Sequence, residues 1–102
     1  MENQAVLYED HTLMAFEDIA PQAPVHVLLI TRKHIAAFDQ LGEADGTMLA
    51  HAVAVLNRLA KEKGVSTSGY RVVVNNGKDA NQSVGHLHFH LLGGRGLGWP
   101  PG

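Results

Sequence analysis

Residues 86–91 read His-Leu-His-Phe-His-Leu, an alternation that suits an extended strand and little else. With a side-chain period of two, His86, His88 and His90 share one face, and Leu87, Phe89 and Leu91 share the other. The apolar face has to be covered, so the strand calls for a second layer. The imidazole face admits three readings. Satisfied surface histidines would require an accident of spacing. A metal site meets a geometric limit, because His86 and His90 stand roughly 13 Å apart along a strand and zinc holds each nitrogen within about 2.1 Å. The strand therefore offers two ligands at most, and a third would come from His26, His34 or His51. Covalent catalysis fits best: neutral imidazole, with a pKa near 6.5, is a good nucleophile, and the central His88 has a neighbour on each side to hold its tautomer. Charge on a reacting phosphoryl group needs several donors. Asn75, Gln82, Ser83 and nearby backbone N–H groups can supply them.

The rest of the chain builds the required layers. Residues 5–9 and 12–17 are short β-like runs joined at Asp10-His11, a hairpin. Pro21 and Pro24 fix a loop, and residues 25–30 form an apolar central strand in which His26 is the one strongly polar residue. Thr31 to His34 is a polar exit. A helix is expected over 43–63, with Met48, Leu49, Ala52, Val53, Leu56, Leu59 and Ala60 on its apolar face. Lys61 and Lys63 in its last turn, with Gly64 beyond, mark its end. Residues 69–75 and 86–92 are strands separated by a polar loop, and the Gly/Pro-rich tail from Gly93 to Gly102 cannot extend a sheet. The expected class is α+β: an antiparallel sheet with one main helix on one face. His11, His34 and His51 read as solvated or structural.

Composition narrows the function. The 102 residues suffice for one domain, 1–102, and they are 45% hydrophobic and 18% charged, as in a globular protein. A net charge of -2 offers no basic footprint for nucleic acid or anionic lipid. No apolar run spans a membrane, no secretory leader is visible, and no cysteine is present, so a cytoplasmic setting is the default.

The stretch Gln82-Ser83-Val84-Gly85-His86-Leu87-His88-Phe89-His90-Leu91-Leu92 resembles the signature of the histidine triad (HIT) superfamily. Ala15 through His26, Val74-Asn75, and the tail through Trp99-Pro100-Pro101-Gly102 resemble its Hint branch, the histidine triad nucleotide-binding proteins. The resemblance implies a five-stranded sheet that joins a second copy into a ten-stranded one. It implies a homodimer that hydrolyses purine nucleoside phosphoramidates and acyl-adenylates to AMP, without metal or cofactor. His88 matches the nucleophile, His86 and His90 the flanking triad members, and His26 the upstream histidine of the network. Ser83 and Asn75 match phosphate and leaving-group contacts, with Gln82 and Val84 beside them as nucleotide contacts. Asp18 matches the ribose-binding carboxylate, while Phe16, Ile19 and Leu28 match walls of the base pocket. The tail is implied to carry Trp99 across the dimer toward the other copy's phosphate site. The chain departs from the pattern in starting after the branch's N-terminal segment, in lacking zinc-binding cysteines, and in carrying Asn81 and Gly85 beside the phosphate loop. Two alternatives share the pattern: a dinucleoside polyphosphate hydrolase, and a nucleotide-binding adaptor with little turnover.

Overall fold

The computed structural model describes residues 5–102. Five strands form one antiparallel sheet in the order β1-β2-β3-β5-β4. They are β1 (Val6–Glu9), β2 (Leu13–Glu17), β3 (Val25–Thr31), β4 (Tyr70–Val73) and β5 (His88–Gly93), and the helix α1 (Gly46–Glu62) lies between β3 and β4 in sequence. The expected class and element order are found, with shifted edges. The sequence suggests a helix from 43, but residues Glu43–Asp45 form a separate 3-10 turn. The last strand begins at His88 rather than His86, because Leu87 donates its N–H to the Ile35 carbonyl at 2.6 Å instead of joining a ladder.

The alternation in β2, β3 and β5 divides the sheet into two faces. Leu13, Ala15, Val27, Leu29, Phe89 and Leu91 are buried together with Leu87 and the inner face of α1. Each large apolar side chain removed from water in this way stabilises the fold by about 1.5–3 kcal/mol. On α1 the buried residues are Ala52, Val55, Leu56, Leu59 and Ala60. Val53, expected on this face, is 57% exposed, and Val55 takes its place. The buried stripe centres on residues 52, 55, 56 and 59, which sit one above another at three- and four-residue steps, and Val53 falls to its side.

Two glycines serve close geometry at the helix end. Gly64 turns the chain with φ +76, and the N–H of Val65 bonds back to the Ala60 carbonyl at 3.0 Å. Val65 then drops into the core against Gly93, where a Cβ would lie 2.9 Å from the valine side chain. No helix among the described residues is long and apolar enough to cross a membrane.

At the far edge, Asp10 closes the β1–β2 hairpin. Its Oδ1 accepts the N–H groups of Thr12 and Leu13, both at 2.8 Å. Its Oδ2 accepts the Tyr8 hydroxyl at 2.5 Å and meets His51 Nε2 from α1 at 2.6 Å, so it ties the helix to the hairpin. The Tyr8 hydroxyl first, then His51 and the two amides, hold the Asp10 carboxyl well below the usual carboxylate range. The unfolded chain therefore binds a proton here that the native state refuses, so this contribution is complete above about pH 4 and is lost as the pH falls below it. Asp10→Asn should destabilise the protein at pH 7 by roughly 1 kcal/mol, the usual net worth of a hydrogen bond. In urea unfolding followed across pH, the gap between the two proteins should narrow steadily as the pH falls below about 4; a constant gap would show that the charge of Asp10 contributes nothing.

Candidate active site

The face of the sheet opposite α1 carries the site, where β3 and β5 run side by side. Leu28 pairs with His90 and Ile30 with His88, so these four side chains project together. They line a cleft of about 330 Å³ whose rim is completed by His86, Asp18, Ser83 and Val84. The three alternating histidines thus share one cavity, as their spacing predicts. His86 reaches it from just outside the ladder, held by a 2.7 Å hydrogen bond between its Nε2 and the Thr31 carbonyl.

Hydrogen bonds determine which imidazole nitrogens carry protons. The backbone N–H of Gln22 can only donate, and it meets His26 Nδ1 at 3.0 Å. Nδ1 is therefore the acceptor, and neutral His26 carries its hydrogen on Nε2. That Nε2 lies 2.9 Å from His90 Nδ1 and 3.5 Å from an Asp18 carboxylate oxygen. His90 Nδ1 accepts, which places the His90 hydrogen on Nε2. The latter is a buried nitrogen with no hydrogen-bond partner among the described residues. A buried unsatisfied donor costs about 1–3 kcal/mol, so this one marks a place where a ligand oxygen would be stabilised. His88 is set independently: its Nδ1–H donates to the His86 carbonyl at 2.7 Å, leaving the Nε2 lone pair free. The His88 and His90 rings stand edge to face, with centroids 4.9 Å apart. The site thus presents a nucleophilic nitrogen beside a hydrogen-bond donor.

Asp18, His26 and His90 bring ligand-type atoms within 4.8 Å of one another, a spacing that suits a metal ion. The tautomers oppose it. Binding through His26 Nε2 would move its hydrogen to Nδ1, directly against the Gln22 N–H.

A HIT domain model matches residues 2–97. The chain belongs to the HIT domain family. Among HIT relatives, it is 45% identical over 97 residues to an uncharacterized HIT-like protein of Synechococcus elongatus, a match covering 95% of this chain and 84% of that one. Its structure resembles a HIT family hydrolase from Legionella pneumophila, with a TM-score of 0.94, 44% identity, and 97% and 88% of the two chains covered. It also resembles a histidine triad protein from Clostridium difficile, with a TM-score of 0.88, 38% identity, and 93% and 83% covered. The HIT fold, one five-stranded antiparallel sheet with a main helix, is the fold described above.

The other expected site residues of this HIT protein fall into three groups. Phe16 is buried on the cleft face, directly across from Leu28. Asn75 lies just past the end of β4, whose last paired residue is Val73 opposite His90, and it does not itself line the cleft. Gln82 does not line this cleft, and its amide is occupied: Oε1 accepts the Gly77 N–H at 2.8 Å, and Nε2 donates to the carbonyls of Ala36 and Val84 at 2.9 and 3.0 Å. Ile19 and Trp99 do not line the cleft; they are 81% and 82% exposed. Trp99 is held where Arg71 stacks on its ring and donates to the Gly98 carbonyl at 2.8 Å. His34, whose position in the sequence suggests a structural role, belongs with the site: its Nδ1 lies 3.4 Å from His86 Nδ1. Only the fold of the 31–34 connector brings them together, so spacing carried no signal of it.

Burial lowers the pKa of both His26 and His90, and for His90 the neighbouring His88 and His26 add to it. Asp18 opposes the shift in each. Both rings should titrate below the ordinary value of about 6.5 in a histidine NMR titration, and Asp18→Asn should lower both midpoints further. The unfolded chain then binds more protons than the native one as the pH drops below about 6.5, so the protein loses stability there on acidification. A midpoint above 6.5 for either ring would contradict the neutral relay.

Proposed function

We propose that this chain is a metal-independent hydrolase of purine nucleoside phosphoramidates and acyl-adenylates that releases AMP through a nucleotidyl-histidine on His88. One observation carries this reading: the His86 carbonyl holds the proton on His88 Nδ1, so Nε2 enters the cleft as a lone pair, with the unpartnered His90 Nε2–H beside it. His88 Nε2 attacks the α-phosphorus, and His90 donates to a phosphoryl oxygen. The leaving nitrogen or carboxylate takes its proton through the triad or Ser83. Water then releases the nucleotide. The backbone N–H groups of Ser83, Val84 and Gly85 meet no acceptor among the described residues and are free for phosphate oxygens. Asp18 suits the ribose hydroxyls, with Leu28 and Phe16 behind the base, and Ile19, which stands outside the cleft next to Asp18 in the chain, is proposed as an outer wall of the base pocket. Asn75 suits a phosphate contact, while Gln82 acts by holding the loop.

The Hint branch and its homodimer belong to the same proposal. β4 is an open edge of the sheet, and next to it a groove of about 230 Å³ runs between α1 and the strand, bordered by Leu49, Val53, Leu56 and Val72. Val53 and Val72 are exposed there, which is costly for a solitary chain and suits a second copy. Pairing would build the ten-stranded sheet and bring the tail with Trp99 to the other copy's cleft. Val53→Glu combined with Val72→Glu should convert a dimer into a monomer by light scattering; an unchanged mass would place the contact elsewhere.

The mechanism is tested on an adenosine phosphoramidate. His88→Ala should lower kcat by on the order of 10³-fold or more while AMP binding survives. Substrate trapped in the cold should label His88 alone, and EDTA should leave the rate unchanged. A covalent adduct on His86 or His90, or activity lost to EDTA and restored by zinc, would overturn it. A dinucleoside polyphosphate cleaved in preference would favour the first alternative, and AMP binding without turnover the adaptor.

A further inference from the structure

Ser83 and Val84, which line the cleft, also line a second cavity of about 520 Å³. The two residues line both spaces, so they form a shared lip with the triad on one side and the 77–85 loop on the other. The second cavity is built differently from the first. Ala36, Ala37, Gly77 and Gly85 give it low walls, and no aromatic ring lines it. Its one ionisable lining residue is Lys78, whose ammonium pairs with no acid among the described residues. Asp79, next in the chain, does not line it.

The loop that carries Lys78 is well held. The Gln82 amide spans it from Gly77 to Val84 and ties it to the Ala36 carbonyl. Asn76 Oδ1 accepts the Asp39 N–H at 2.8 Å, and Asn81 turns the chain in the left-handed region with φ 63. Lys78, exposed to solvent, therefore lines a recess that shares Ser83 and Val84 with the cleft of the triad.

We infer that this cavity receives the leaving group, and that Lys78 selects a small amine bearing an anionic group such as a carboxylate. The inference rests on the phosphoramidase reading. With the nucleoside between Asp18 and Leu28 and the phosphorus at the Ser83–Val84 lip, the departing part of the substrate has this space before it. As the His88 Nε2–P bond forms, the P–N bond breaks and its electron pair stays on nitrogen. That nitrogen takes a proton drawn from solvent through Ser83, which is returned when water attacks phosphorus. The anionic end remains beside Lys78 throughout. A second nucleotide fits less well, because the recess offers no ring for a base to stack on.

The experiment compares three AMP phosphoramidates whose amines have equal length and end in a carboxylate, a carboxamide or a trimethylammonium. The wild-type protein should favour the carboxylate over the carboxamide in kcat/KM by roughly three- to tenfold at low salt, as befits one partly exposed charge pair, and the ammonium should be poorest. High salt should shrink the preference. Lys78→Arg should keep the order and Lys78→Glu should invert it. The inference is overturned if the wild type treats carboxylate and carboxamide alike within about twofold, or if Lys78→Glu leaves their ratio unchanged. Failure to turn over any of the three would refute the phosphoramidase reading itself, and the inference would fall with it.

Discussion

The antiparallel pairing of β3 with β5 is the constraint on which the rest of the molecule depends. Its register opposes Val27 to Leu91 and Leu29 to Phe89 on one face, and Leu28 to His90 and Ile30 to His88 on the other. The first set is buried under α1 with no measurable or only slight exposure, so a slip of one residue would exchange apolar and imidazole side chains between core and solvent. The energy that assembles the core is thus the same energy that aligns the histidines. The site needs no separate scaffold, because it is the reverse side of the best-packed part of the sheet.

A few backbone groups then convert aligned rings into a chemically directional array. The Gln22 N–H sets the His26 tautomer, and through it that of His90; the His86 carbonyl sets His88. In each case a group with only one possible role leaves the ring no choice. Gln22 is placed by the Pro-containing loop before β3, and Arg95 from the tail clamps that loop by donating twice to the Gln22 carbonyl, at 2.9 and 3.1 Å. Residues remote from the cleft in sequence therefore decide whether a given nitrogen attacks, donates or accepts. Burial of His26 and His90 works in the same direction by favouring their neutral forms.

Much of this was legible in the chain. The strict alternation over 86–91 gave both faces of β5, and the one polar residue in an apolar strand pointed to His26. The element order and class followed from periodicity and turn residues. The errors have local causes. The histidine pattern runs two residues past the ladder: His86 sits in a bend and the Leu87 N–H bonds to the Ile35 carbonyl, relations that residue alternation does not report. Val53 fits an apolar stripe when viewed as a helical wheel, but the sheet covers only the part of the wheel centred on Leu56 and Leu59. For Gln82 the motif advertises a polar side chain, and only the structure shows its amide engaged with Gly77, Ala36 and Val84.

By itself, the sequence determined the things that depend on period and composition: an α+β sheet, which side chains share a face, and a cluster of imidazoles with no thiolate beside it. It could do so because the geometry of a strand is local, repeating every two residues whatever lies around it. Tertiary structure alone decided the relations between distant segments: His26 against His90, His34 against His86, Asp10 against His51, and the lip that joins the two cavities. Those contacts span 41 to 64 residues of chain, and no local rule encodes them. His26 meets His90 because burying one face of the sheet fixes the arrangement of the other, and Asp10 meets His51 because α1 packs beside the hairpin.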